Sequence, residues 1–430
     1  MLHHPLTRRR LAPWALLPAL LLAALAGAAH AENPPWTVNI TEDVANPSAA
    51  QPTIDVDPFT LGAQVSLRAA IQKANNDKGA DTIFVPEGLF KLTLKGDDED
   101  AAATGDLDVT DDLTIIGVPA NPQTDADGTI LDGKKLKDRL FEVEPGVTLT
   151  LKGFTLRNAK APKEESGGAL RVLGSLVMDH VIVTKCKSTV DGGGIEATPS
   201  ADALILTDVF FFKNTATGDG GAIHVDGGLT EVTRATFQKN KASSEGGALA
   251  LTEAMAQLTN VTLNANSAKV DGGAMLIRNG SVLTLVNVTS CSNVCKLTSG
   301  ISAFDTGGLV ASNTVLARNA IFDDKGERNF SGFGEQGVIS LGGNIESGTS
   351  CKLPVEEFSS TDPHLLKLGY FGGFTPTCPI DVDSPAIDNG YDNGAPDKDQ
   401  RGVPRVGIDG VGLPFVECDS GAYEFTQPVP

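Results

Sequence analysis

Residues 211–249 read FFKNTATGDGGAIHVDGGLTEVTRATFQKNKASSEGGAL, and two phrases occur twice within them. Phe211-Phe212-Lys213-Asn214 returns as Phe237-Gln238-Lys239-Asn240, and Gly220-Gly221-Ala222-Ile223 returns as Gly246-Gly247-Ala248-Leu249. Outward from this stretch, Gly167-Gly168-Ala169-Leu170 and Gly192-Gly193-Gly194-Ile195 precede it, and Gly272-Gly273-Ala274-Met275 follows. A second series, Cys186, Asn214, Asn240, Asn266 and Asn293, keeps step at intervals of 28, 26, 26 and 27 residues. A period near 26 is too short for paired-helix repeats, and the leucine-rich spacing is absent. Between the markers lie short β-prone runs, among them Leu204-Ile205-Leu206 and Leu258 to Leu263. Two or three such strands with tight turns consume one period, so each repeat reads as one coil of a parallel β-solenoid.

Stacked coils sit about 4.8 Å apart, which turns equivalent side chains into ladders. Leu170, Ile195, Ile223, Leu249 and Met275 then form an interior aliphatic stack. Asn214, Asn240, Asn266 and Asn293 form an amide ladder, with Cys186 as a buried thiol in the same slot. The acids before the glycine pairs, Asp191, Asp219, Glu245 and Asp271, form a carboxylate column. Such a column is relieved by splaying, by neighbouring lysines (Lys187, Lys213, Lys241, Lys269) or by a cation. Self-neutralisation by the lysines is the reading preferred here. Calcium is the competing one, short of the six to eight oxygens it requires.

The Gly-Gly-x-apolar and Phe-x-x-Asn phrases resemble the polymorphic outer-membrane-protein repeat, whose family implies a right-handed parallel β-helix of the pectin-lyase-like type. Toward the N-terminus, Ser66-Leu67-Arg68-Ala69-Ala70-Ile71, Ala74-Asn75, Asp81-Thr82-Ile83 and Gly105-Asp106-Leu107-Asp108-Val109 resemble the CSLREA domain of exported bacterial proteins. Val65 stands in place of that family's Cys, and Ala69 in place of its Glu. Ser66 to Asn76 itself reads as a Ser-capped amphipathic helix, suited to plug an open solenoid end. Toward the C-terminus, Gly372-Gly373-Phe374-Thr375-Pro376, Ser384-Pro385-Ala386-Ile387-Asp388, Asp399-Gln400-Arg401-Gly402 and Cys418-Asp419-Ser420-Gly421-Ala422-Tyr423-Glu424 resemble the choice-of-anchor Q domain. The implied organisation is a leader over 1–31, an N-terminal cap over 32–110, β-helix coils over 111–350 and a loop-rich C-terminal cap over 351–430.

The leader reading rests on Arg8-Arg9-Arg10, the apolar run from Leu11 to Ala26 and the small-x-small site Ala29-His30-Ala31. It predicts an exported protein, extracellular or in the cell envelope, including the outer-membrane surface, with no membrane insertion of the mature chain. The 430-residue chain carries a formal charge of −20, which argues against nucleic acid and anionic membrane surfaces as partners. Hydrophobic content of 41% supports a core, while 47 Gly and 24 Pro with only 5% aromatics favour short strands and turns. His180, His224 and His364 are too scattered for a histidine metal site.

Six cysteines in an exported chain permit fifteen full pairings. Cys291 and Cys295, flanking Asn293 at a predicted corner, are the candidate disulfide. At most one more bridge is expected among Cys351, Cys378 and Cys418. Asp381, Asp383, Asp388, Asp392, Asp397, Asp399 and Asp409 crowd the C-terminal segment beside Arg401 and Arg405; they read first as loop-forming residues, with a catalytic carboxylate pair as in glycoside hydrolysis as the alternative. No catalytic residue and no cofactor is assigned. The preferred function is a non-catalytic binding or structural module, adhesin-like, with surface glycans or a host or neighbouring cell as partner. The alternative is a polysaccharide lyase or glycoside hydrolase, which fold alone does not decide.

Overall fold

The computed structural model describes residues 33–48, 53–96, 99–121, 127–297, 300–304, 308–312, 314–317, 320–321, 329–332, 338–392, 394–405 and 417–426. The leader at 1–31 and Asp409 lie outside the described residues. The chain is an all-β parallel solenoid of stacked coils, and Leu67–Asn76 is the one helix among the described residues. No helix among them is long and apolar enough to cross a membrane.

Three parallel sheets run along the solenoid, with 19, nine and six strands. In the nine-stranded sheet the register aligns Leu107, Phe141, Leu170, Ile195, Ile223, Leu249, Met275, Ile301 and Phe330 in one column. Every member is buried. Burial of such side chains contributes roughly 1.5–3 kcal/mol apiece. A second interior column stacks Phe211 on Phe237, ring centroids 4.9 Å apart and nearly parallel at 6°.

The glycine pairs have two separate physical causes. The first glycine of each pair has positive φ, from 60° at Gly192 to 77° at Gly167. The second allows coils to touch: a Cβ on Gly221 would lie 2.2 Å from the Gly247 carbonyl oxygen. No side chain fits that gap, and the pair therefore recurs once per coil.

At the N-terminal end the Ser66 hydroxyl accepts from the Ala69 N–H at 3.1 Å, capping the helix. Leu67, Ala69, Ala70, Ile71 and Ala74 face the core. Arg68 is fully buried, paired with Asp43 at 2.7 Å and donating to the carbonyls of Ala102, Gly105 and Asp106.

The loop-rich C-terminal segment lies along the flank of the coils. Gln400, fully buried, donates to Thr236 Oγ1 at 2.8 Å and accepts from Thr262 Oγ1 at 2.6 Å. Ala422 N–H donates to Thr289 Oγ1 at 3.0 Å. Arg405, also buried, joins Glu424 at 2.8 Å to Asn260 Oδ1 at 2.8 Å. Asp399 is buried beside Arg401, at 2.7 Å.

Candidate functional site

The asparagine series forms a continuous buried spine. Nδ2 of Asn214, Asn240 and Asn266 donates to Oδ1 of the next coil's asparagine at 3.1, 3.0 and 2.9 Å. That same oxygen accepts the backbone N–H of the residue one coil earlier, beginning with Cys186 N–H to Asn214 Oδ1 at 3.0 Å. All four amides are fully buried, so no ligand reaches them. Burial pushes the Cys186 thiol up to about 12.

The acids before the glycine pairs stand at one edge of the nine-stranded sheet. Asp191 Oδ1 accepts the Asp219 N–H at 2.6 Å, and Asp219 Oδ1 accepts the Glu245 N–H at 2.9 Å. The cation present is Arg278, 3.1 Å from Asp219 and 3.2 Å from Glu245. This corrects the expectation of neutralising lysines. Lys187 and Lys241 project from the exposed face of the six-stranded sheet, and Lys213 lies over the Phe212 ring. Asp271 Oδ1 is buried without a hydrogen-bond partner.

The proposed Cys291–Cys295 bridge is also corrected. Ser292, at φ 58°, turns the chain between them. Cys295 packs with Ala242 and Ala268, whereas the Cys291 sulfur lies 3.3 Å from that of Cys378.

Beside the acid column, the outward residues of the nine-stranded sheet align as Asp108, Glu142, Arg171, Glu196 and His224. Four of the five, Glu142, Arg171, Glu196 and His224, pair among themselves or with Arg139. Arg171 pairs with Glu142 at 3.0 Å, and Arg139 with Glu142 at 2.6 Å. His224 Nδ1 meets both Glu196 oxygens at 3.0 Å. Burial lowers the His224 imidazole's proton affinity, but Glu196, then Asp191 and Asp219, outweigh it and hold the value above the usual one. Burial, reinforced by Asp138, pushes Asp106 up to about 7, against the opposing charge of Arg139. Burial and then Asp106 push Asp108 up to about 8.

The opposite kind of surface lies on the 19-stranded sheet. There the outward column Thr184, Phe212, Gln238, Asn264 and Cys291 spans five coils, roughly 19 Å at ~4.8 Å per step. A hairpin of the C-terminal segment stands over it, closed by Gly369 N–H to Thr377 O at 3.0 Å and the reverse bond at 2.9 Å. Thr375 Oγ1 donating to Arg234 O at 3.1 Å and Thr236 Oγ1 donating to Pro376 O at 2.5 Å pin the hairpin to the coils. Between hairpin and column run two adjoining half-open cavities of about 350 and 370 Å³, sharing Gln238 and Leu368 in their linings. Phe210, Phe212 and Tyr370 line the first, and Lys239, Asn264 and Lys367 the second. Phe210 and Phe212 stack at 5.5 Å and 26°. Near the aromatic end, Asp179, His180 and Asp208 place potential ligand atoms within 4.8 Å of one another, but Arg234 already binds Asp208 through two nitrogens, at 3.0 and 2.6 Å.

Sequence reasoning missed this groove. Its signal is the outward pair Phe210 and Phe212 flanking inward Phe211, together with a lysine directly before each of Cys186, Asn214 and Asn240.

The Chlamydia polymorphic membrane protein repeat matches residues 208–226 of the chain. No curated protein matches. Among solved structures, pectate lyase Pel9A is 12% identical, with a TM-score of 0.40, covering 90% of this chain and 97% of its own. The A-module of the Azotobacter vinelandii mannuronan C-5 epimerase AlgE6 is 11% identical, with a TM-score of 0.20, covering 65% of this chain and 94% of its own.

Proposed function

We propose that the chain is an exported β-helix protein of the cell surface or its surroundings, acting as a non-catalytic glycan-binding module. The groove between the Thr184–Cys291 column and the Gly369–Thr377 hairpin carries this reading. Its aromatic faces suit the C–H faces of pyranose rings, and the Gln238 and Asn264 amides suit hydroxyl groups. A pinned hairpin pre-forms the groove, which lowers the entropy lost on binding. The leader-like segment, the repeat match at 208–226 and the envelope-protein resemblances of both ends support a surface location.

The competing lyase or hydrolase reading would use the Asp108–His224 column. There Arg171, Glu142, Glu196 and His224 are already engaged with one another, which favours a structural role for them. A glycan-array screen with product detection tests both readings. Retention of intact glycans is the expected result. Release of shortened or unsaturated products would overturn the non-catalytic reading, and binding unaffected by Phe212→Ala would remove the groove from it.

A further inference from the structure

We infer that the groove selects a polyanionic saccharide, one bearing carboxylate or sulfate groups along its length; this rests on the glycan-binding reading above. The observation is a lysine ladder in an acidic protein. Lys185, Lys213 and Lys239 follow Thr184, Phe212 and Gln238, and the register places them at one corner of three successive coils. All three have positive φ, at 58°, 57° and 55°, the left-handed conformation that turns the chain out of the sheet. Their side chains are exposed. Lys213 Nζ stands 4.6 Å from the centroid of the Phe212 ring, and Lys239 and Lys367 line the second cavity.

Most described lysines stand outside the ion pairs, so it is their register that sets these three apart, while the arginines are spoken for. Each of the eight described arginines, from Arg68 to Arg405, has a carboxylate partner. In a chain of net charge −20, partners for four more cations abound. Yet no ion pair holds Lys185, Lys213, Lys239 or Lys367 among the described residues. Stacked at about 4.8 Å per coil, the ladder repels itself. An anion on every coil relieves that repulsion. The lysine stems cover apolar surface while their ammonium heads stay in water, where point-charge recognition tolerates either carboxylate or sulfate. The general acidity of the protein disfavours indiscriminate polyanion binding and confines it to this strip.

The test uses three oligosaccharides with one backbone: dextran, carboxymethyl-dextran and dextran sulfate fragments of equal length, titrated calorimetrically against the full mature chain. The expected result is at least tenfold tighter binding of one or both charged fragments than of dextran, weakening as salt rises. The Lys185→Gln, Lys213→Gln, Lys239→Gln triple variant should lose that advantage while keeping its melting temperature. Phe212→Ala should weaken all fragments alike. Equal binding of neutral and charged fragments, or a triple variant indistinguishable from wild type, overturns the polyanion inference and leaves the glycan-binding reading standing. If no fragment binds and the broader array is also empty, both fall together.

Discussion

Asn240 sits one coil beyond Asn214, and its Oδ1 accepts two donors from it, the backbone N–H at 3.0 Å and Nδ2 at 3.1 Å. Its own Nδ2 reaches back to the Phe211 carbonyl at 3.0 Å. Nδ2 also donates to Asn266 Oδ1 at 3.0 Å, so one amide satisfies two donors and two acceptors inside a dry core. Asn240→Ala leaves all four without it, at roughly 1–3 kcal/mol for each buried group left unsatisfied. Chemical denaturation should show a loss of several kcal/mol, well beyond that of exposed Lys241→Ala. A loss below about 1 kcal/mol would mean that water substitutes for the amide.

Stability should fall with rising pH at the N-terminal coils. Asp106 and Asp108 are pushed up to about 7 and about 8, chiefly by burial, whereas unfolded aspartate titrates near 4. From about pH 4 to 8 the folded chain therefore keeps protons that the unfolded chain has released, and stability declines as pH rises through that window. Asp108→Asn keeps an acceptor for the Ala102 N–H, now at 2.8 Å. It should raise the melting temperature at pH 8 by a few degrees and flatten the pH profile. A steeper profile in the variant would contradict the burial argument.

Oxidation should join Cys291 to Cys378. Their sulfurs are 3.3 Å apart, and a bond of about 2.05 Å needs only a small side-chain shift. Non-reducing peptide mapping of exported protein should find that pair and an unbridged Cys186. A Cys291–Cys295 peptide would restore the local bridge.

Millimolar calcium should leave the melting temperature unchanged, because Arg278 and neighbouring N–H groups already compensate Asp219 and Glu245. A rise of several degrees that disappears in Asp219→Asn and Asp271→Asn would instead make the acid column a calcium site. Arg278→Ala should lower stability by removing the column's cation, by about 1 kcal/mol or more.

Protein recovered from the exported fraction should begin at Glu32, following Ala29-His30-Ala31. Intact mass decides this, and material retaining Met1 would remove the leader reading.

What was legible in the sequence was whatever repeats. Gly220-Gly221 and Gly246-Gly247 recur because a coil must turn through positive φ and then touch its neighbour, so their spacing carries the register directly. Placement of the C-terminal segment leaves no periodic trace. Gln400 reaches Ala235 across 165 residues and Thr262 across 138, through contacts made once each. For that reason the partner of Cys291 and the roof of the groove were not legible. Lys213 was misread beside the acids because proximity in sequence ignores the left-handed corner that sends it to another face.

The threonines at 236, 262 and 289 occupy one register position on three consecutive coils. Pro376, Gln400 and Ala422 engage them in turn. The C-terminal segment is therefore a gauge of fixed length. A whole coil can be inserted or lost on the N-terminal side of the coil that carries His180 and Thr184, where Phe374 and the groove begin, without disturbing it, while the same change between Thr236 and Thr289 throws the three attachments out of step. Lineages that vary the length of this rod should do so at one end only, and the groove travels unchanged with the gauged end.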